Sequence, residues 1–259
     1  MFAQERQNKI EQLLEKNGAV TVKELMDIFA VSIETIRRDL LVMEKNNLLQ
    51  RVHGGAVSAC KTKPLKDLNY RLSENDKLKG ELCATAVSFI NEGDIIGMDV
   101  GSTAIYFTNE LKKHFCKLTV ITSSLDVFKE LYKHKNFNVI LCGGRYYEYE
   151  HSFYGTVTED TLSRLNMQKC FIFPYAVSLK NGICDHLEEL CPLQKLLISN
   201  SDEVFILADS SKFEHRALYS VSETKSEYRY ITDSEISEQI TELYSESGIS
   251  LITGKEEHL

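Results

Sequence analysis

"VTVKELMDIFAVSIETIRRDLLVMEKNNLLQRVHGGA", residues Val20 to Ala56, sets two short helices around a sharp turn and follows them with a strand and a glycine pair. Thr21 and Glu24 have the spacing of a capping box, and Val22, Leu25, Ile28 and Phe29 then form one apolar stripe. Ser32 is the cap expected for the second helix. Only Ala30 and Val31 separate the two, so the helices must turn sharply against each other, as in a helix-turn-helix. In the second helix Ile33, Ile36, Leu40 and Met43 recur at helical spacing and face inward, which leaves Glu34, Thr35, Arg37 and Arg38 at the exposed N-terminal end. Beyond it, "LLQRVHGGA" offers a short strand, the basic residues Arg51 and His53, and Gly54 with Gly55 for a tight turn: the outline of a wing.

The exposed N-terminal end of such a helix is the part that enters a DNA major groove. Arginine donates two parallel hydrogen bonds to a guanine edge or grips phosphate oxygens, and a threonine reads a neighbouring base through its methyl or hydroxyl. Ser32, Glu34, Thr35, Arg37, Arg38, Arg51, His53 and Gly54 are thus the expected contacts to a double-stranded DNA operator. Glu34 lies four residues before Arg38, the spacing of an ion pair on a solvated helix face, so Arg37 is the firmer candidate of the two arginines.

"SIETIRRDL" followed by "RVHGGA" resembles the N-terminal domain of the DeoR family of bacterial transcriptional regulators, closely over about the first sixty residues. The resemblance implies a regulator of sugar metabolism, more often a repressor, whose C-terminal domain senses a phosphorylated sugar.

The rest of the chain is read first from its residues. At 259 residues and 43% hydrophobic content, it is long enough for one or two domains with a sizeable core. No apolar run reaches the length of a signal peptide or a membrane span, so a cytoplasmic protein is expected, and seven cysteines without CxxC spacing fit reduced thiols. Residues 1–58 hold eight basic and eight acidic side chains, so the whole net charge of −8 falls on the remainder. An acidic body repels DNA and turns a neutral head with clustered arginines toward it. One such head binds weakly, which points to a homo-dimer or homo-tetramer.

A proline and a run of lysines in "CKTKPLKDL", Cys60 to Leu68, mark a linker over 59–68 between a winged helix-turn-helix at 1–58 and a second domain at 69–259. A helix is expected over roughly Leu72 to Asn91, with Leu78, Leu82, Ala86 and Phe89 on one face. Then "DIIGMDV", "LTVITS", "FNVILCG", "KCFIFPYAV" and "EVFILAD" alternate with helical stretches, the pattern of a mostly parallel α/β sheet.

Ligands of such sheets gather at the carboxyl ends of the strands. Four places there carry suitable residues: Asp99, Gly101, Ser102 and Thr103 before a helix; Thr122 and Ser123; Gly143 and Gly144 beside Arg145; and Asp209 with Lys212. Free backbone N–H groups, hydroxyls and a lysine suit an anionic, polyhydroxylated ligand. Each also has a plainer reading, as a helix cap, an ordinary turn or, for Asp209 and Lys212, a structural ion pair. Lys195, on a helix expected over Glu188 to Ser201, reads as solvated.

"MDVGST", "VITSS", "LCGG" and "LADSSKF" resemble the DeoR C-terminal sensor domain, which is similar in fold to ribose-5-phosphate isomerase. The resemblance implies a sugar-phosphate effector bound near those ten residues, with no cofactor. It also shows departures: "FIFPYAVSLKNG" puts Phe173, Pro174 and Ala176 where the family has small or flexible residues, and the family's helix lysine aligns with either Gln194 or Lys195. Two other readings stay open. Asp209, Lys212 and a carboxylate such as Glu188 are the parts of an isomerase-like enzyme, although no Ser-His-Asp arrangement is visible and "CDHLEELC" lacks zinc-ligand spacing. The second domain could also serve assembly alone.

Overall fold

A helix not foreseen from the sequence, α1 (Ala3–Asn17), leads through a three-residue strand, β1 (Ala19–Thr21), into α2 (Val22–Phe29). In this computed structural model, which describes residues 2–46, 48–58 and 66–254, the capping box closes as expected: Glu24 N donates to Thr21 Oγ1 at 3.1 Å and Thr21 N to the Glu24 carboxylate at 3.4 Å. Ala30 ends α2 in the left-handed conformation (φ 51°). Thr35 N donates to Ser32 Oγ at 3.4 Å, which starts α3 (Ile33–Lys45). The wing follows as β2 (Leu49–Val52) and β3 (Gly55–Ser58), antiparallel, with β1 added to the far edge of β3.

Ile36, Leu40 and Met43 pack with Leu25, Phe29, Ile10 and Leu14 in the core of this head. Ile28 is a correction: it is 47% exposed, because α2 turns Leu25 and Phe29 into the core with Val22 and Met26 beside them, and Ile28 lies off that face. The buried Asp39 of α3 was also not anticipated; it accepts from Arg6 Nε at 2.5 Å and from Gln7 Nε2 at 3.3 Å, tying α1 to α3.

Residues 59–65, most of the expected linker, lie outside the described residues. The helix expected over 72–91 is three pieces: α4 (Leu68–Ser73), α5 (Asp76–Ala86) and a 3-10 turn at 87–89. The break comes where Glu74 is extended and Asn75 adopts a left-handed conformation. The body continues β4 (Ile95–Met98), α6 (Ser102–His114), β5 (Leu118–Thr122), α7 (Leu125–Leu131), β6 (Phe137–Leu141), the hairpin β7 (Arg145–Tyr147) and β8 (Ser152–Tyr154), and α8 (Thr156–Leu162). It then runs β9 (Met167–Ile172), β10 (Ala176–Ser178), β11 (Gly182–Asp185), α9 (Cys191–Ser199), β12 (Ser201–Leu207), β13 (Tyr219–Ser222), β14 (Arg229–Ile231), α10 (Glu238–Glu246) and β15 (Leu251–Ile252).

All five apolar runs supply strands of one seven-stranded sheet, ordered β15-β14-β12-β9-β4-β5-β6, in which every pairing is parallel, although the end of the fourth run, Ala176 and Val177, belongs to β10 of a separate sheet. Helices follow directly after β4 and β5, whereas small antiparallel strands intervene after β6 and β9. Alternate residues feed the two faces. Phe171, Phe173, Phe205 and Leu207 pack under α5 and α6, while Cys170, Ile172, Val204 and Ile206 face α9 and α10. The chain order reverses between β4 and β9, so a crevice opens there at the strands' carboxyl ends.

The head rests on the body. β1 packs against α10, Ala19 and Val57 share a core cluster with Ile240, Leu243 and Tyr244, and Ser237 Oγ donates to Asn17 O at 3.2 Å.

Candidate DNA-binding face and ligand pocket

The helix cap and the wing turn together decide which head residues face outward. Glu34, Arg37 and Arg38 are exposed on the first turns of α3. Among the described residues neither arginine has a carboxylate within 4 Å, so the Glu34–Arg38 pair does not form. Ser32 is occupied as the cap and shares a 3.1 Å hydroxyl contact with Thr35. At the wing, Arg51 and His53 are exposed, and the turn passes through Gly54 at φ 83°. Arg37, Arg51, His53 and Gly54 line one cleft of about 520 Å³ between α2, α3 and the wing. Arg38 is exposed and does not line that cleft. Glu246 of α10 reaches into it, its carboxylate against Gly54.

A second cavity, of about 280 Å³, lies at the crevice between β4 and β9. Its floor is a carboxylate network. Asp99, just past β4, accepts from Phe173 N at 3.1 Å and from Gln194 Nε2 at 2.9 Å, and the same Gln194 amide nitrogen donates to Asp185 Oδ2 at 3.0 Å. Burial pushes the Asp99 carboxyl up to about 7 and raises that of Asp185. Gln194 is 1% exposed, and its Oε1 has no hydrogen-bond partner.

Cations line the opposite wall. Arg71 of α4 pairs with Glu150, the last residue of the 3-10 turn at 148–150, whose carboxyl burial lifts to about 7 against the pull of Arg71. Lys79 of α5 donates to the carbonyls of Arg71 and Glu74 at the end of α4; burial and the nearby Lys212 lower it to about 8. Lys212 donates to Pro174 O at 2.7 Å, and burial lowers its pKa as well. Among the described residues neither lysine has a carboxylate within 4 Å, so the plainer reading of Asp209 and Lys212 as an ion pair is not met. Asp209 instead accepts from Asn75 Nδ2 at 3.1 Å and Ser211 Oγ at 2.5 Å. Gly101 precedes α6 without a side-chain cap, so the first N–H groups of α6 have no side-chain acceptor from the cap residue.

Of the ten expected pocket residues, Gly101, Ser102, Asp209 and Lys212 line this cavity and Asp99 anchors its floor. Five do not reach it. Thr103 is buried in the first turn of α6, where its carbonyl accepts from the Cys83 thiol. Thr122 Oγ1 accepts from Ser124 N at 3.0 Å, and Ser123 O from Phe153 N at 2.9 Å, so both serve the β5–α7 turn and the β7–β8 hairpin. Gly143 O accepts from Thr158, and Gly144 lets α8 and β8 approach: a Cβ there would lie 2.1 Å from Thr158 Oγ1 and 2.8 Å from Tyr154 O. Phe173 lines the cavity while packing edge-on against Phe107, and Pro174 lines it too; Ala176 is buried in β10. At the ambiguous helix position, Gln194 faces the cavity and Lys195 is exposed. The sequence did not point to Arg71, Lys79, Glu150 or Asp185: Arg71 and Lys79 lie on helices before β4, the first strand of the main sheet, Glu150 in a hairpin turn, and Asp185 at the end of a short strand outside that sheet. Among the described residues no three His, Cys, Asp or Glu side chains gather as a metal site.

The chain matches the DeoR-like helix-turn-helix domain over residues 6–62 and the DeoR C terminal sensor domain over residues 74–234. It belongs to the DeoR family. The family is one of transcriptional regulators, which sets the isomerase-like enzyme aside. Relatives of this DeoR protein include YulB, an uncharacterised HTH-type transcriptional regulator of Bacillus subtilis, 36% identical over 90% of each chain. The lactose phosphotransferase system repressor of Lactococcus lactis is 34% identical over 95% of this chain and 97% of its own. Among solved structures, ribose 5 phosphate isomerase A of Neisseria gonorrhoeae aligns at 21% identity with a TM-score of 0.42, over 56% of each chain. No helix among the described residues is long and apolar enough to cross a membrane.

Proposed function

We propose that this DeoR-family regulator represses carbohydrate-metabolism genes in the cytoplasm and that a phosphorylated sugar in the β4/β9 cavity alters its grip on the operator. The observation that carries the reading is the cavity's two-sided lining. Arg71, Lys79 and Lys212 surround the uncapped start of α6 with positive charge, as a phosphate requires. The carboxylates and amide on the floor supply acceptors for sugar hydroxyls. The sign of regulation is supported by relatives named as repressors, among them that of the lactose phosphotransferase system.

In this reading residues 1–58 hold the operator through Arg37, Arg51 and His53, with Thr35, Glu34 and Arg38 at the helix end. Residues 69–259 hold the effector through Gly101, Ser102, Asp209, Lys212 and Asp99. Because one neutral head makes few phosphate contacts, two heads act together, in a homo-dimer or a pair of dimers. The effector must bind the DNA-competent and DNA-incompetent states unequally.

Gel retardation on the protein's own promoter region, at fixed salt, with a panel of pentose and hexose monophosphates tests both halves. A sequence-specific shift altered by one sugar phosphate is expected. No specific shift sinks the repressor; a shift that no sugar phosphate changes leaves a regulator whose second domain serves assembly alone.

A further inference from the structure

Inside the cavity, a group of the protein's own occupies the place best suited to an anion. Glu150 is 3% exposed, and its carboxylate pairs with the Arg71 guanidinium. The pair stands over the start of α6: a Cβ built on Gly101 would lie 3.8 Å from Arg71 Nη1 and 3.8 Å from Glu150 Oε2. α6 is 13 residues long and its cap residue Gly101 offers no side chain, so the Arg71–Glu150 pair lies near the positive end of a full helix. A phosphate monoester is held by the same two features. The far wall adds a second, independent sign of a ligand. Gln194 Oε1 is buried without a partner, while its Nε2 is spent on Asp99 and Asp185. A buried acceptor left unmatched costs free energy that a ligand hydroxyl recovers.

We propose that Glu150 stands in for the ligand's phosphate: a phosphate monoester displaces its carboxylate from Arg71 and the start of α6, while a hydroxyl at the ligand's other end donates to Gln194 Oε1. The proposal rests on the sugar-phosphate reading of the cavity and adds how that site is held and switched. Arg71 belongs to α4, the first body helix after the head, and its Nε also donates to Lys66 O at 3.0 Å. Glu150 belongs to the turn between β7 and β8. Exchange of carboxylate for phosphate thus unfastens that turn from α4, the first helix of the body in chain order.

The test is calorimetric titration of the full-length protein with inorganic phosphate and with a panel of pentose and hexose monophosphates. Glu150→Gln keeps the shape and removes the competing charge, so it should bind inorganic phosphate about tenfold more tightly than the parent; Arg71→Ala in the same background should abolish the gain. Glu150→Asp, which shortens the reach by one methylene, should show a smaller gain and guards against a folding defect in the first variant. Equal or weaker phosphate binding by both Glu150 variants overturns the exchange. If a sugar phosphate binds the parent and the Glu150 variants no tighter, the exchange fails and the sensor reading stands. If the variants gain phosphate affinity but no protein binds any sugar phosphate better than inorganic phosphate, the exchange stands and the sugar reading fails. Gln194→Leu should weaken sugar-phosphate binding and leave inorganic phosphate unchanged; unchanged sugar-phosphate binding removes the hydroxyl contact.

Discussion

Arg37 and Lys212 sit in separate cavities, which the proposed function gives to separate ligands. Arg37→Ala should lower operator affinity by about 1–3 kcal/mol while leaving sugar-phosphate binding intact. Lys212→Ala should do the reverse, which fluorescence anisotropy on labelled operator and calorimetry together read out; equal loss in both assays would mean a damaged fold. The residues that the sequence made legible are those whose role is local. Thr21 and Ser32 cap helices three residues away, and Gly101, Ser102 and Asp209 follow strands that the apolar runs announce. Arg71 and Glu150 were not legible, because only the folded sheet brings α4 and a hairpin turn to one cavity, and Gln194 was legible only as one of two positions on α9. Thr122, Ser123, Gly143 and Gly144 have ligand-like chemistry, but the turns beside them consume it.

Elements are fixed by contacts that the apolar pattern does not carry. α1 is joined to α3 by the buried Arg6–Asp39 pair, at 7% and 4% exposure. Asp39→Ala removes the buried carboxylate that accepts from Arg6 and Gln7, so the head should lose about 3–5 kcal/mol in urea unfolding; a loss under about 1 kcal/mol would mean that the pair is incidental. Gly144 makes a parallel case. Gly144→Ala should destabilise the body by about 1–3 kcal/mol through the clash with β8 and α8, with sugar-phosphate affinity per folded molecule unchanged. Loss of affinity without loss of stability would return Gly144 to the binding site. β4, β5, β9 and β12 were readable because burial on both faces makes each a nearly continuous apolar run, and β6, half-buried at the sheet's edge, because its residues are still mostly apolar. β1, β7, β8 and β10 were not, since three residues are too few to show a period.

For the whole molecule, acidity matters in two ways. Asp99, Glu150 and Glu214 are each raised by burial to about 7, from 3.8 for the aspartate and 4.5 for the glutamates. Between those values the folded chain binds more protons than the unfolded one, so these groups stabilise the fold below about pH 5 and lose that contribution as pH rises to about 7. The Tm should therefore fall from pH 5 to pH 7.5, less steeply in Glu214→Gln; a rising Tm would contradict the buried-acid account. The second effect joins the two halves. Glu246 places a carboxylate in the cleft that holds Arg37, Arg51 and His53. Glu246→Ala should strengthen operator binding by about 1 kcal/mol at low salt, and unchanged affinity would show that the head leaves α10 before it meets DNA.

The order of the strands also has a consequence in time. The wing closes with residues 1–58, but the cavity floor needs β4 beside β9, which joins residues 95–98 to residues 167–172, and the head's seat on α10 waits for residues 238–246. At about 5–20 residues per second of synthesis, the interval is on the order of ten seconds or more. During it, a chain emerging from the ribosome carries a finished reader of DNA and no organ of taste.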